Sequence, residues 1–113
     1  MATATSETAV KGGAWLIAET DPSTVFTPEK ITEEHALIRQ TATEFIDGEV
    51  APANERLEQK DWALQRELIK KCGGLGLFGT NIPEAYGGVD LDKIATLVVS
   101  EAIATHGSFA ATF

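Results

Sequence analysis

The sequence predicts an all-α fold: an up-and-down helical bundle over residues 31–113, preceded by an extended N-terminal arm over residues 1–30. Three observations carry this. Apolar residues recur every three to four positions and never in the strict alternation of a half-buried strand. Helix-starting side chains stand ahead of each apolar run, at Thr32, Asp61 and Asp90 or Asp92. The run after Asp92 is apolar around most of a helical wheel, which suits a helix enclosed by others.

The elements follow in order. Residues 1–13 are small and polar and end in Gly12-Gly13, so the arm is expected to be mobile there. Residues 14–18, Ala-Trp-Leu-Ile-Ala, are too short for a free-standing helix and apolar enough to dock, with Trp15 as anchor. Thr27-Pro28-Glu29 reads as N-cap, N1 and N2 of one short turn. Thr32 caps the first long helix, with Glu33 and Glu34 at the positive end of its dipole. Ile38, Ala42, Phe45 and Ile46 form its buried stripe, and Gly48 and Pro52 are expected to close it. Pro52 then starts a short helix through Leu57. A third helix begins near Asp61, turns Leu64, Leu68, Ile69 and Cys72 inward, and is expected to stop at Gly73-Gly74. The last long helix is expected to run from Asp90 or Asp92 to Gly107, with Lys93, Thr96 and Ser100 as its polar arc. Glu101 and Thr105 fall in its apolar sector, so Glu101 is expected to be a buried carboxylate satisfied by backbone or Arg donors. Ser108 is expected to cap a further helix that the sequence leaves one turn long.

Composition narrows the function. A 113-residue chain buries roughly two-thirds of its unfolded surface, enough for one core without staples. Cys72 is the only cysteine, which excludes a disulfide framework and favours a reducing compartment. Seventeen acids against nine bases give a net charge of −8, which repels a phosphate backbone and argues against nucleic acid as a partner. No apolar run approaches the roughly 20 residues of a membrane span. The start, MATATSETAVKGG, lacks the features of a leader peptide, so a cytoplasmic location is expected.

Residues 73–92 hold six of the ten glycines, and Gly74, Gly76 and Gly79 spell the G-x-G-x-x-G spacing of a phosphate loop. The context opposes that reading. A helix precedes the motif where a strand is needed, and Thr80-Asn81-Ile82-Pro83 cannot open a long helix after it. Glycines that let two stretches of backbone approach closely explain it better. Cys72 reads as a small buried hydrophobe, His35 and His106 have no ligand-spaced partners, and Trp15 and Trp62 are expected to be packing anchors. His106 is expected in the last turn of its helix. The residues by themselves assemble no catalytic, cofactor-binding or metal site.

Leu75-Gly76-Leu77-Phe78-Gly79, Ile82-Pro83-Glu84 and Tyr86-Gly87-Gly88 together resemble the GLxGxxxPxEYGG signature of the acyl-CoA dehydrogenase family's N-terminal helical domain. Phe26-Thr27-Pro28-Glu29, Glu49-Val50-Ala51-Pro52, Leu91-Asp92-Lys93, Ser100-Glu101 and Gly107-Ser108-Phe109 extend the likeness along nearly the whole chain. The arm Lys11 to Ile17 is similar to that of the bacterial branch resembling very-long-chain enzymes. Ala85 and Val89 depart mildly from the pattern. The resemblance implies the first part of a protein that removes the α-proton of an acyl-CoA thioester while the β-hydride passes to FAD, giving a trans-2-enoyl-CoA. It implies that base and flavin contacts lie outside these residues, so that this piece alone is inactive and holds no FAD. It implies a wall of the acyl pocket at Ser108, Phe109, Ala111 and Thr112, with the remaining domains, an electron-transfer flavoprotein and other copies of the protein as partners. A related acyl-CoA oxidase or flavin monooxygenase would share this domain. A free-standing helical interaction module is the other alternative.

Overall fold

The computed structural model describes residues 13–113, so the expected mobility of residues 1–12 lies outside the described residues. The chain divides into two units, Met1–Ile31 and Thr32–Phe113. In the first, three 3-10 turns follow one another at Ala14–Leu16, Pro22–Thr24 and Pro28–Lys30. Asp21 caps the second by accepting from the Ser23 amide at 2.9 Å. Pro28 opens the third after Thr27, as its fixed φ predicts.

The second unit is built of helices and the turns between them, with no strand among the described residues. Helix α1 (Glu33–Phe45) starts at Thr32, whose hydroxyl accepts from the His35 amide at 3.2 Å. His35 Nδ1 returns the favour by accepting from the Thr32 amide at 3.2 Å, so an imidazole completes a capping box usually closed by Glu or Gln. Ala42, Phe45 and Ile46 are buried and Ile38 packs beside them, as the 3.6-residue stripe requires.

Gly48 does not end this helix. The backbone continues as a π turn (Ile46–Val50) and a 3-10 turn (Ala51–Ala53) into α2 (Asn54–Glu58). Pro52 cannot donate to the carbonyl four residues back and its ring crowds that carbonyl, so the chain passes the proline by widening and then tightening its turns. Val50 and Leu57 remain buried.

Helix α3 (Trp62–Gly74) is capped by Asp61, whose Oδ1 accepts from the Leu64 amide at 3.1 Å. Leu68 and Cys72 are buried, and Leu64 and Ile69 pack against the core. The stop comes later than Gly73-Gly74. Gly73 and Gly74 stay helical, and Gly76, at φ 76°, is the left-handed residue. The Gly76 amide bonds the Gly73 carbonyl at 3.0 Å and the Leu77 amide reaches Cys72 at 3.4 Å, a Schellman pairing that drives Leu77 into the core.

Residues 77–92 then fold back on themselves. The Val89 amide bonds Gly79 and the Asp90 amide bonds Ile82, at 3.0 and 2.9 Å. A Cβ on Gly88 would lie 2.0 Å from the Ile82 carbonyl oxygen. The close backbone approach expected of this glycine stretch is therefore present at Gly88, and it is sterically obligatory.

Asp92, not Asp90, caps α4 (Lys93–Ile103), its Oδ1 accepting from the Ala95 amide at 2.8 Å. Ala95, Val98, Val99 and Ile103 are buried. The helix ends four residues short of Gly107, where the Thr105 hydroxyl takes the Ala102 carbonyl at 2.9 Å and competes with the backbone for it. His106 is therefore not in a last turn; it is the N-cap residue of α5 (Gly107–Ala110), and Ser108 lies inside that helix instead of capping it.

The starts of α1 and α4 are joined by His35 and Asp92, and Arg39 meets Glu101 further along, so these helices run parallel. Lys71 pairs with Glu49 while Leu75 shares a hollow with Thr41, so α3 runs the opposite way. One contiguous core joins them: Ala42, Phe45, Ile46, Val50, Leu57, Leu68, Cys72, Leu77, Val99, Ile103 and Phe109.

Candidate functional site

The four residues expected to line an acyl chain sit on α5 and the turn after it, and they face different ways. Phe109 has no exposed surface and meets Phe45 edge-on, with ring centroids 5.6 Å apart. Ser108 is half-buried, while Ala111 and Thr112 are exposed. Phe113 stacks on Phe78 at 4.8 Å, tying this end of the chain to the stretch after α3. Phe109 thus holds α5 against the core, and Ser108, Ala111 and Thr112 are the members that reach the surface.

No proton-transfer constellation forms around them. Glu101 corrects the expectation of a buried carboxylate: its side chain is 75% exposed and, among the described residues, meets only the Arg39 guanidinium, at 3.4 Å. The sector holding Glu101 is open in this chain, for Leu97, one turn earlier, is 64% exposed. Burial pushes the Cys72 thiol up to about 11, which makes it a poor nucleophile. No group of three or more His, Cys, Asp or Glu side chains that could hold a metal occurs among the described residues. No helix among them is long and apolar enough to cross a membrane.

The pair that sequence reasoning missed is His35 with Asp92. His35 is only 6% exposed, and its Nε2 lies 3.0 and 2.9 Å from the two Asp92 oxygens. With Nδ1 accepting from Thr32, Nε2 carries the hydrogen and donates it. Asp92 titrates below its ordinary value, first because the Ala95 amide bonds its charged form and then because His35 does. Thr32-x-x-His35 was the available signal: an N-cap followed three residues later by a side chain able to accept.

This pair also decides the phosphate question. The helix after the glycine stretch already has a carboxylate at its N-terminus, where a phosphate would have to bind. Gly76 and Gly79 serve a helix stop and a turn. The residues present do not fit a dinucleotide pyrophosphate.

Comparison with known proteins agrees with this geometry. The sequence profile described as "Acyl-CoA dehydrogenase, N-terminal domain" matches residues 32–113. A "Probable acyl-CoA dehydrogenase" of Bacillus subtilis (strain 168) is 37% identical over 103 residues, covering 91% of this chain and 17% of that protein. The "Short-chain specific acyl-CoA dehydrogenase, mitochondrial" of Bos taurus is 31% identical over 94 residues, covering 83% of this chain and 23% of that protein. Among solved structures, an acyl-CoA dehydrogenase complexed with FAD from Bacillus anthracis superposes with a TM-score of 0.86 at 43% identity, over 92% of this chain and 18% of that one. The chain thus spans about a fifth of the length of the relatives it matches. With its profile, fold and relatives in agreement, the chain belongs to the acyl-CoA dehydrogenase family, and residues 32–113 are that family's N-terminal domain.

Proposed function

We infer that this chain acts as the N-terminal helical domain of an FAD-dependent acyl-CoA dehydrogenase, which forms the α,β double bond of an acyl-CoA in fatty acid β-oxidation. In this reading the domain is a wall and not a catalyst. Ser108, Ala111 and Thr112 face the acyl chain from α5 and the turn after it, with Phe109 fixing α5 from behind. The small side chain of Ala111 leaves room beside Thr112. The chain holds no flavin of its own, since its glycine stretch is spent on a helix stop and a close turn. The other domains, further copies of the protein, and an electron-transfer flavoprotein complete a cytoplasmic enzyme, and residues 14–18, exposed in this chain, are left to dock the arm on one of them.

The observation that supports this best is the combination of a match over residues 32–113 with an apolar helix left partly bare. Leu97 is 64% exposed on α4, a helix with four buried residues on its other side. With Leu37 on α1 equally exposed, this surface suits a domain that is covered by others. The test is Ala111→Phe in a full-length parent carrying this domain. Activity on long acyl-CoA substrates should fall while that on short ones persists. Equal loss on all chain lengths, or no change on any, contradicts the assignment of this wall.

A further inference from the structure

The two units of the chain divide between Ile31 and Thr32, and the first backbone amide past that division is held by a side chain that can change its charge. The Thr32 amide donates to His35 Nδ1 at 3.2 Å, while the Thr32 hydroxyl accepts from the His35 amide at 3.2 Å. A capping box usually places Glu or Gln here, and either presents an oxygen that accepts at neutral pH. An imidazole differs, because a ring nitrogen that accepts becomes a donor once it takes a proton. Histidine is the side chain that makes this change near physiological pH. Nε2 of His35 already carries a hydrogen, donated to the Asp92 oxygens at 3.0 and 2.9 Å. The nitrogen left to take a proton is therefore Nδ1, the one that holds Thr32.

We propose that His35 is a proton-sensitive latch on the root of the N-terminal arm. With the ring neutral, both bonds of the capping box are made and the Thr32 amide is held. A proton on Nδ1 sets two donors against each other 3.2 Å apart, and the amide is released. Thr32 is exposed, so water takes the freed amide and the backbone there can turn outward. Nε2 donates to Asp92 in either form, and the Thr32 hydroxyl still accepts from the His35 amide, so α1 keeps its start. The charged groups around the ring are Asp92 and Lys93 at the start of α4, Glu33 and Glu34 in the first turn of α1, and Arg39 one turn on, which Glu101 of α4 takes up. Asp47 and Glu49 of the π turn stand at the other end of α1, about 18 Å along its axis.

The test follows the ¹⁵N-labelled chain by NMR from pH 8 to pH 5. At pH 8 the His35 ring should carry its hydrogen on Nε2 alone. As the pH falls, the Thr32 amide and the His35 ring should shift with one midpoint. Below that midpoint, solvent exchange of the Thr32 amide should be about tenfold faster than in His35→Gln at the same pH, the scale of one lost hydrogen bond. His35→Gln keeps an acceptor and has no proton to gain, so its Thr32 amide should stay held throughout. A hydrogen on Nδ1 at pH 8 overturns the proposal, as does a His35 ring that takes up no proton before the chain unfolds. So does a Thr32 amide that is unmoved while His35 titrates, that moves with the His106 ring instead, or that responds equally in a His35→Gln variant whose amide dispersion shows it folded.

Discussion

Asp92 bonds two helices at once: its Oδ1 accepts from the Ala95 amide at 2.8 Å, starting α4, while its Oδ2 lies 2.9 Å from His35 Nε2, the side chain that closes the cap of α1. Asp92→Ala removes a cap worth about 1 kcal/mol and orphans a buried imidazole donor, so the loss should be about 1–3 kcal/mol. Asp92→Asn keeps a capping oxygen and should lose less. Because the folded carboxyl titrates below its ordinary 3.8, its contribution is complete above that value and fades as pH falls through the lowered one. The gap between wild type and Asp92→Asn should therefore be full at pH 6 and close in acid. Urea melts at several pH values measure it, and a gap that widens in acid contradicts the pairing.

Cys72 offers a probe of global opening. It is fully buried in the core, and its thiol is pushed up to about 11, so the native state presents almost no thiolate. Iodoacetamide labelling at pH 8 should be slow in buffer and fast in denaturing urea, with the rate tracking the unfolded fraction. Rapid labelling of the native chain would place the thiol outside the core.

Gly48 and Gly88 should respond oppositely to alanine. Nothing lies within 4 Å of a Cβ on Gly48, which stands in a helical turn, so Gly48→Ala should stabilise by about 0.5–1 kcal/mol. A Cβ on Gly88 meets the Ile82 carbonyl oxygen at 2.0 Å, and the backbone there has to open. Gly88→Ala should cost about 3 kcal/mol or more. Chemical denaturation of the two variants gives the comparison directly.

These two glycines also show what the sequence could and could not convey. The bundle was legible because caps and apolar periods are local: Thr32, Asp61 and Asp92 all stand where their helices start. Helix ends were read less well, because they depend on competitors. Gly48 is passed by a π turn set by Pro52, and α4 stops early because Thr105 takes a carbonyl. Glu101 was misplaced because a helical wheel shows which residues share a sector but not which sector has a neighbour. His35 and Asp92 lie 57 residues apart, and no local pattern joins them.

Leu97 and Glu101 mark the uncovered sector of α4, and Leu37 on α1 is equally exposed, 64% for each leucine. An apolar strip of this kind should drive the isolated chain to self-associate. Leu97→Glu should shift light scattering towards the monomer. Glu101→Leu should enhance association while changing stability by no more than about 0.5 kcal/mol, because a weak exposed ion pair is all that it removes. A chain that is strictly monomeric at high concentration would show that the strip is not sticky. A large stability loss in Glu101→Leu would return the carboxylate to the interior.

Phe109 separates two roles that the sequence assigned to one stretch. Its ring is fully buried against Phe45 and 6.4 Å from Phe113, so it supports α5 from the core side. Phe109→Ala should cost about 3–5 kcal/mol through lost burial and the cavity left behind. That is a large fraction of the stability of a single domain, and loss of near-ultraviolet circular dichroism at ambient temperature would follow. Phe109→Leu fills most of the space and should keep the fold with a smaller loss. Ala111→Ser and Thr112→Val, at exposed positions, should stay within about 0.5 kcal/mol of wild type. If Phe109→Ala melted like these two, its ring would not be the support for α5, and a direct place for it in the acyl wall would be the better account.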